Sequence, residues 1–209
     1  FLFNTLNSIS TLVLLKDTAR ANAMLSRLSS FLRYSLVGER EGLATVAQEI
    51  EALKLYLDIE RTRFEDRLRT RFDVSPEALE GRIPSLLLQP IVENAIKYAV
   101  TPMEEGAEIH IDARVMGERL IVTLTDTGPG LGDAPLHDEL PVTTSGTGVG
   151  LANIRDRLQQ AYGSDQRFEI AENVPHGLIV LVDIPYQILD TRPISASVAT
   201  ATIPGGKPE

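Results

Sequence analysis

Three short clusters in this sequence carry residue types that could do chemistry together: VENAIKYA at 92–99, DTGPG at 126–130 and SGTGVGLANIRDRL at 145–158. Glu93, Asn94 and Lys97 lie within little more than one helical turn, and Asn94 with Lys97 at i, i+3 would set an amide oxygen beside an ammonium. An amide oxygen suits Mg²⁺, which takes few protein ligands and keeps phosphate and water oxygens as the rest. Asp126 ends an apolar run, where its carboxylate could accept from a purine amino group while Gly128 and Gly130 let a ring approach the backbone. Thr147, Gly148, Gly150 and Leu151 open a helix, whose free N–H groups and positive dipole end would face phosphate oxygens. Each cluster alone has a plainer reading, as a satisfied amide, a turn or a flexible link. Their order along one chain is what points to a nucleotide site.

Composition constrains what such a site must do. Residues 1–100 hold 13 Lys and Arg against 13 Asp and Glu, and residues 101–209 hold 7 against 16, so the whole net charge of −9 is C-terminal. A surface of that sign repels a phosphate backbone, which excludes nucleic acid as a partner and leaves a phosphorylated ligand dependent on local groups or a metal. With no cysteine the chain has no disulfide, thiolate metal site or thiol nucleophile, which suits a reducing, cytoplasmic setting. No apolar run is long enough to cross a membrane, so these residues are expected to make no membrane contact.

The elements needed to position the clusters can be read from hydrophobic spacing. Phe3, Leu6, Ile9 and Val13, then Met24, Leu28, Phe31 and Leu32, give a helical hairpin with Asp17 as a cap at its corner. A third helix fits Val46 to Phe64. Helices so rich in leucine and phenylalanine must bury their apolar faces, and a homodimer through the N-terminal helices is the expected solution. Period-two LRTRFDV follows, then IPSLLLQPIVENAIKYAV as one long buried helix. EIHIDARV and RLIVTLTD read as strands around Met116-Gly117-Glu118, and RFEIAEN and GLIVLVDIP as a closing antiparallel pair around Pro175-His176-Gly177. The fold class is α+β. The division expected is 1–66 helical, 67–186 nucleotide-binding and 187–209 a tail without core-forming pattern, with 131–147 as a lid over the phosphates.

Asn, then Asp-x-Gly-x-Gly, then Gly-x-Gly resembles the N box and two glycine boxes of the GHKL ATPases, the group of gyrase, Hsp90, MutL and histidine kinases, over about 80–185. No P-loop is present, and GTGVGL follows a loop without Rossmann spacing. FLFNTLNSIS, LSSFLRYSL, EIEALKLYLDIERTRFEDRL and IPSLLLQPIVENAIKYAV resemble successive blocks of the LytS/YehU-type sensor histidine kinases, which extends the likeness to about 1–185. Tyr98 stands where that family often has histidine. The resemblance implies a GHKL α/β sandwich with a mixed, largely antiparallel sheet after the helical hairpin. It further implies ATP and Mg²⁺ as cofactors, Asn94 as a metal ligand, and phosphoryl transfer to a histidine for relay to an aspartate of a response regulator.

In that family the first block reads HFLFNTLN and its histidine accepts the phosphate, so the acceptor is expected immediately before Phe1. The chain as printed is then expected to bind ATP without labelling itself. Asn4 is either a polar helix-surface residue or a group that positions the acceptor imidazole. Glu93 is either the base that orients the nucleophile or a partner in a buried ion pair, and Lys97 a phosphate contact. His110, His137 and His176 are expected in structural or solvated roles, and Arg155 and Arg157 on a solvated helix face. A different class of function, a non-catalytic module that keeps the nucleotide fold to hold partners, remains the alternative, together with another GHKL ATPase or serine kinase.

Overall fold

The computed structural model describes residues 1–130 and 148–188. Helices α1 (Leu2–Leu14) and α2 (Thr18–Glu41) form the hairpin, and Asp17 caps α2 by accepting the Arg20 N–H at 3.1 Å. After the short strand β1 (Leu43–Thr45) comes α3 (Val46–Phe64), with the bounds its spacing predicts. Its start is fixed reciprocally: Thr45 Oγ1 accepts the Gln48 N–H at 3.2 Å and Gln48 Oε1 accepts the Thr45 N–H at 2.8 Å.

The second half is a sheet with helices on one face. Strands β2 (Leu68–Val74), β4 (Ala107–Met116), β5 (Arg119–Asp126), β6 (Arg167–Glu172) and β7 (Leu178–Pro185) form a five-stranded sheet in the order β2-β4-β5-β7-β6. Only β2 and β4 run parallel; the other three pairings are antiparallel. The four-residue helix α4 (Pro76–Leu79) and the strand β3 (Arg82–Pro84) connect β2 to α5 (Gln89–Ala95), and α6 (Gly148–Tyr162) precedes the final hairpin. Alternation along the strands buries Ile109, Ile111 and Ala113 of β4, Leu120, Val122 and Leu124 of β5, and Val180, Val182 and Ile184 of β7. With the inward faces of α3, α5 and α6 and the hairpin's Met24, Leu28 and Phe31, they make one connected core.

One element differs from its sequence reading. Residues 82–84 are not helical; they pair antiparallel with 43–45, and α5 begins only at Gln89. Pro84 and Pro90 bracket a turn in which Leu86 takes a positive φ of 58°, so the apolar run is broken by backbone that cannot continue a helix. Beyond Ala95 the chain widens into a π turn over Ile96–Val100.

Candidate functional site

Period-two alternation decides where Asp126 goes. It is the next inward position after Leu120, Val122 and Leu124, so a carboxylate ends the core face of β5 with 5% of its surface exposed. Two backbone donors meet it there: Gly128 N–H at 2.9 Å and Leu178 N–H at 3.2 Å, both on Oδ1. Burial pushes its pKa above the ordinary carboxylate range, against the opposing pull of those two N–H groups and of His176. The tip of the β6–β7 hairpin closes over the same strand end. Asn173 Nδ2 donates to Asp126 O at 3.0 Å, and His176 Nδ1 is 3.1 Å from Gly128 O.

Gly128 and Gly177 are required by packing. A Cβ on Gly128 would overlap Ala99, at the end of the segment that continues α5, and a Cβ on Gly177, at φ 106°, would overlap the Asp126 carbonyl. Gly130 lies against the Gly177 backbone. The Asp126 loop is thus pressed onto the segment that carries Glu93, Asn94 and Lys97.

Asn94 is half-buried, and its Nδ2 is fully covered with no hydrogen-bond partner among the described residues. A covered amide nitrogen without an acceptor costs stability unless a group beyond the described residues satisfies it. Glu93, also half-buried, accepts from Gln89 Nε2 at 2.8 Å. Lys97 is exposed, its ammonium 5.0 Å from the centre of the Tyr98 ring. Helix α5 packs on β5 and on α6, whose first turn holds Gly148, Gly150 and Leu151. Thr147, His137 and the expected lid at 131–147 lie outside the described residues, as does 189–209 of the expected tail. Asn4 is exposed on the first turn of α1, where its carbonyl accepts from Ser8 Oγ at 3.0 Å. Among the described residues no group of three or more His, Cys, Asp or Glu side chains could hold a metal ion, so a cation here would depend on Asn94 and on oxygens the ligand brings.

The profile described as histidine kinase-, DNA gyrase B-, and HSP90-like ATPase matches residues 81–188, and the one described as histidine kinase matches residues 1–68. The chain belongs to the histidine kinase family. Sensor histidine kinase YesM of Bacillus subtilis is 33% identical over 185 residues, which cover 88% of this chain and 31% of YesM. Sensor protein LytS of Enterococcus faecalis is 33% identical over 190 residues, covering 90% of this chain and 32% of LytS. Sensor histidine kinase BtsS of Escherichia coli is 34% identical over 171 residues, 82% of this chain and 28% of BtsS. The chain therefore spans about a third of the length of the curated relatives it matches. Among solved structures, the Acinetobacter baumannii histidine kinase AdeS aligns with a TM-score of 0.53 at 20% identity, covering 83% of this chain and 84% of that one. The catalytic domain of histidine kinase ThkA aligns at 0.52 and 18% identity, covering 69% and 94%. At such identities the likeness is one of fold, and the fold is the GHKL α/β sandwich that the box order implies.

Arg157 is not a solvated side chain: it reaches from α6 to donate to Ser85 O and, at 3.3 Å, to Leu86 O. Arg155 is exposed. His110 has a structural partner, with Nε2 2.9 Å from Asp73 Oδ2 across the parallel pair β2–β4. Sequence reasoning missed the hairpin tip, although Pro175-His176-Gly177 was recognised as a turn, because nothing local says which loop a turn will touch. It also missed Glu49, which is 1% exposed beneath the start of α5.

Proposed function

We propose that the chain binds Mg·ATP with α5, the Asp126 loop and the start of α6, and acts as the catalytic part of a cytoplasmic sensor kinase that phosphorylates a histidine for relay to a response-regulator aspartate. The observation that carries this reading is the buried Asp126 carboxylate, bonded through Oδ1 to Gly128 and Leu178 and packed against the segment bearing Asn94, whose Nδ2 has no partner among the described residues. A carboxylate has room for further donors. In this reading Asp126 accepts from the adenine amino group and so selects the base. The Asn94 amide oxygen would hold Mg²⁺, and its covered Nδ2 would find an acceptor in a phosphate oxygen. The first N–H groups of α6, at Gly148 and Gly150, hold further phosphate oxygens.

Bound Mg·ATP supplies the transferable phosphoryl group and the charge neutralisation that in-line transfer needs. The chain would position and desolvate: Lys97 would contact the phosphates, and Glu93 would orient the attacking imidazole nitrogen. The acceptor of this reading is a histidine directly ahead of Phe1, with Asn4 sharing its helix face. Exposed Leu2, Phe3, Leu6, Val13 and Leu14 on α1 support the homodimer that would bring acceptor and nucleotide together. No helix among the described residues is long and apolar enough to cross a membrane.

Two measurements test this. Calorimetric titration of the 209-residue chain should show ATP binding that strengthens with Mg²⁺, and no binding at millimolar ATP would overturn it. A chain extended by histidine ahead of Phe1 should take acid-labile, alkali-stable label from γ-labelled ATP, and the unextended chain should not. Label on His110, His137 or His176 would move the acceptor.

A further inference from the structure

Helix α5 starts without a cap of its own, and a side chain from another helix repairs the defect. Leu88 stands at its N-cap and has no side-chain acceptor to offer. Glu49, on the first turn of α3, supplies one. Its Oε2 accepts the Leu88 N–H at 3.2 Å, and its Oε1 accepts the Leu86 N–H at 2.7 Å. Leu86 holds a positive φ of 58°, a conformation that a leucine keeps only where its surroundings impose it. The same Oε1 accepts the Tyr34 hydroxyl of α2 at 2.7 Å. From the other side Arg157 of α6 donates to the carbonyls of Ser85 and Leu86. Residues 85–88 are thereby held by α3 and α6, with α2 reaching them only through Glu49, and they lead directly into the helix that carries Glu93, Asn94 and Lys97.

We propose that Glu49 is a positioning residue for the nucleotide site, setting the start of α5 from α3, and that its bond with Tyr34 makes that setting answer to the position of α2. The proposal rests on the Mg·ATP reading above. A carboxyl group with 1% of its surface exposed and three donors does not lose one of them freely, because a buried hydrogen-bonding group left short of its partner is costly. When α2 slides or rotates against α3, Tyr34 either leaves Glu49 or draws the carboxylate with it. In the first case Glu49 keeps only the backbone donors, and in the second the Leu86 and Leu88 N–H groups lose their acceptor. Either change alters how firmly the strained 85–88 turn is held. Asn94 sits about one and a half turns further along. A shift at the hairpin is thus delivered to the amide proposed for the metal without any contact between α2 and the nucleotide.

The test uses the full 209-residue chain with Tyr34→Phe and Glu49→Gln, read by amide hydrogen exchange and by ATP titration with Mg²⁺ and with EDTA. Tyr34→Phe removes one donor and keeps the ring, so cooperative melting should persist. Exchange over 86–95 should rise about fivefold while β4 and β5 stay unchanged, and Mg·ATP affinity should fall about three- to tenfold, with a smaller loss in EDTA. Glu49→Gln should move each readout further in the same direction, since one amide oxygen must then serve three donors. Unchanged exchange over 86–95, a uniform rise across the sheet, or equal losses with Mg²⁺ and EDTA would overturn the proposal, each marking a merely structural contact. Local loosening with undiminished Mg·ATP affinity would overturn it too. If the unaltered chain bound no Mg·ATP, the nucleotide reading would fall, and the exchange data would still decide whether Tyr34 and Glu49 govern α5.

Discussion

Leu178 donates its backbone N–H to Asp126 Oδ1 at 3.2 Å, joining the first residue of the last strand to the last residue of the central one. The bond ties the closing hairpin to the proposed base pocket, so the β5–β7 pairing and the proposed ligand site share one carboxylate. That carboxylate is buried, and burial is the largest influence on its ionisation.

A charge buried there costs folding stability, and the pH dependence has a definite sign. The folded-state pKa of Asp126 lies above its unfolded value, so its favourable contribution is complete below the unfolded pKa and is lost as pH rises through the folded one. Asp126→Asn keeps an oxygen for the Gly128 and Leu178 donors and removes the charge. Without nucleotide, the variant should therefore melt above the unaltered chain at neutral pH, and the gain should shrink as pH falls through the carboxylate range. It should also lose its preference for ATP over GTP. Melting curves across that pH series, with titrations of both nucleotides, check the two halves; a variant that melts lower at neutral pH would contradict the cost of the charge.

The helix of 46–64 and every strand of the main sheet were legible in sequence because their apolar periods are uninterrupted and their ends carry caps or turn residues. The start of α5 was not. Leu86, Leu87 and Leu88 continue an apolar run that reads as helix, and the pairing of 82–84 with 43–45 comes from residues some forty positions away. Glu49 was partly legible. Glu49, Leu53, Tyr56 and Glu60 recur at helical spacing on the buried side of α3, so two carboxylates fall on a core face, a pattern that asks for partners. Burial accordingly raises the pKa of Glu60, with Arg63 opposing. What spacing could not say is that the partners of Glu49 are backbone N–H groups of a distant turn.

Gly128 and Ala99 give a stability prediction independent of any ligand. A methyl group on Gly128 would overlap Ala99, so Gly128→Ala should destabilise the fold by about 1–3 kcal/mol, the usual cost of overpacking. Ala99→Gly in the same chain should recover only a small part of that loss, because it removes the Ala99 Cβ while the Ala99 Cα stays just as close to the new methyl. Chemical denaturation of both single variants and the double variant measures the coupling. Additive losses would show that the two residues do not oppose each other.

Asn94 should separate stability from binding. Its Nδ2 has no partner among the described residues, so Asn94→Ala breaks no hydrogen bond at that atom and should change the melting free energy by no more than about 1 kcal/mol. The magnesium-dependent part of ATP affinity should nevertheless fall about tenfold or more, while affinity in EDTA changes little. Titrations in both conditions decide it, and an unchanged magnesium increment would remove Asn94 from the metal site.

The exposed apolar stripe on α1 supplies the last test. Leu2, Leu6 and Val13 recur at helical spacing, 45%, 51% and 54% exposed, with Phe3 and Leu14 beside them at 85% and 80%. Ile9 and Leu12 already face the core, so this stripe is surface left over after α1 has packed on α2 and α3. Burying each such side chain against a second copy would contribute about 1.5–3 kcal/mol, enough for three or four of them to hold a dimer at micromolar concentration. Leu6→Glu with Val13→Glu puts two carboxylates into that contact. Sedimentation equilibrium should then show a monomer where the unaltered chain is a dimer. Mg·ATP affinity should stay the same, since the residues proposed to hold the nucleotide begin at Glu93. A double variant that stays dimeric at equal concentration would move the interface off α1, and a loss of affinity on dissociation would mean that the partner copy helps to complete the site.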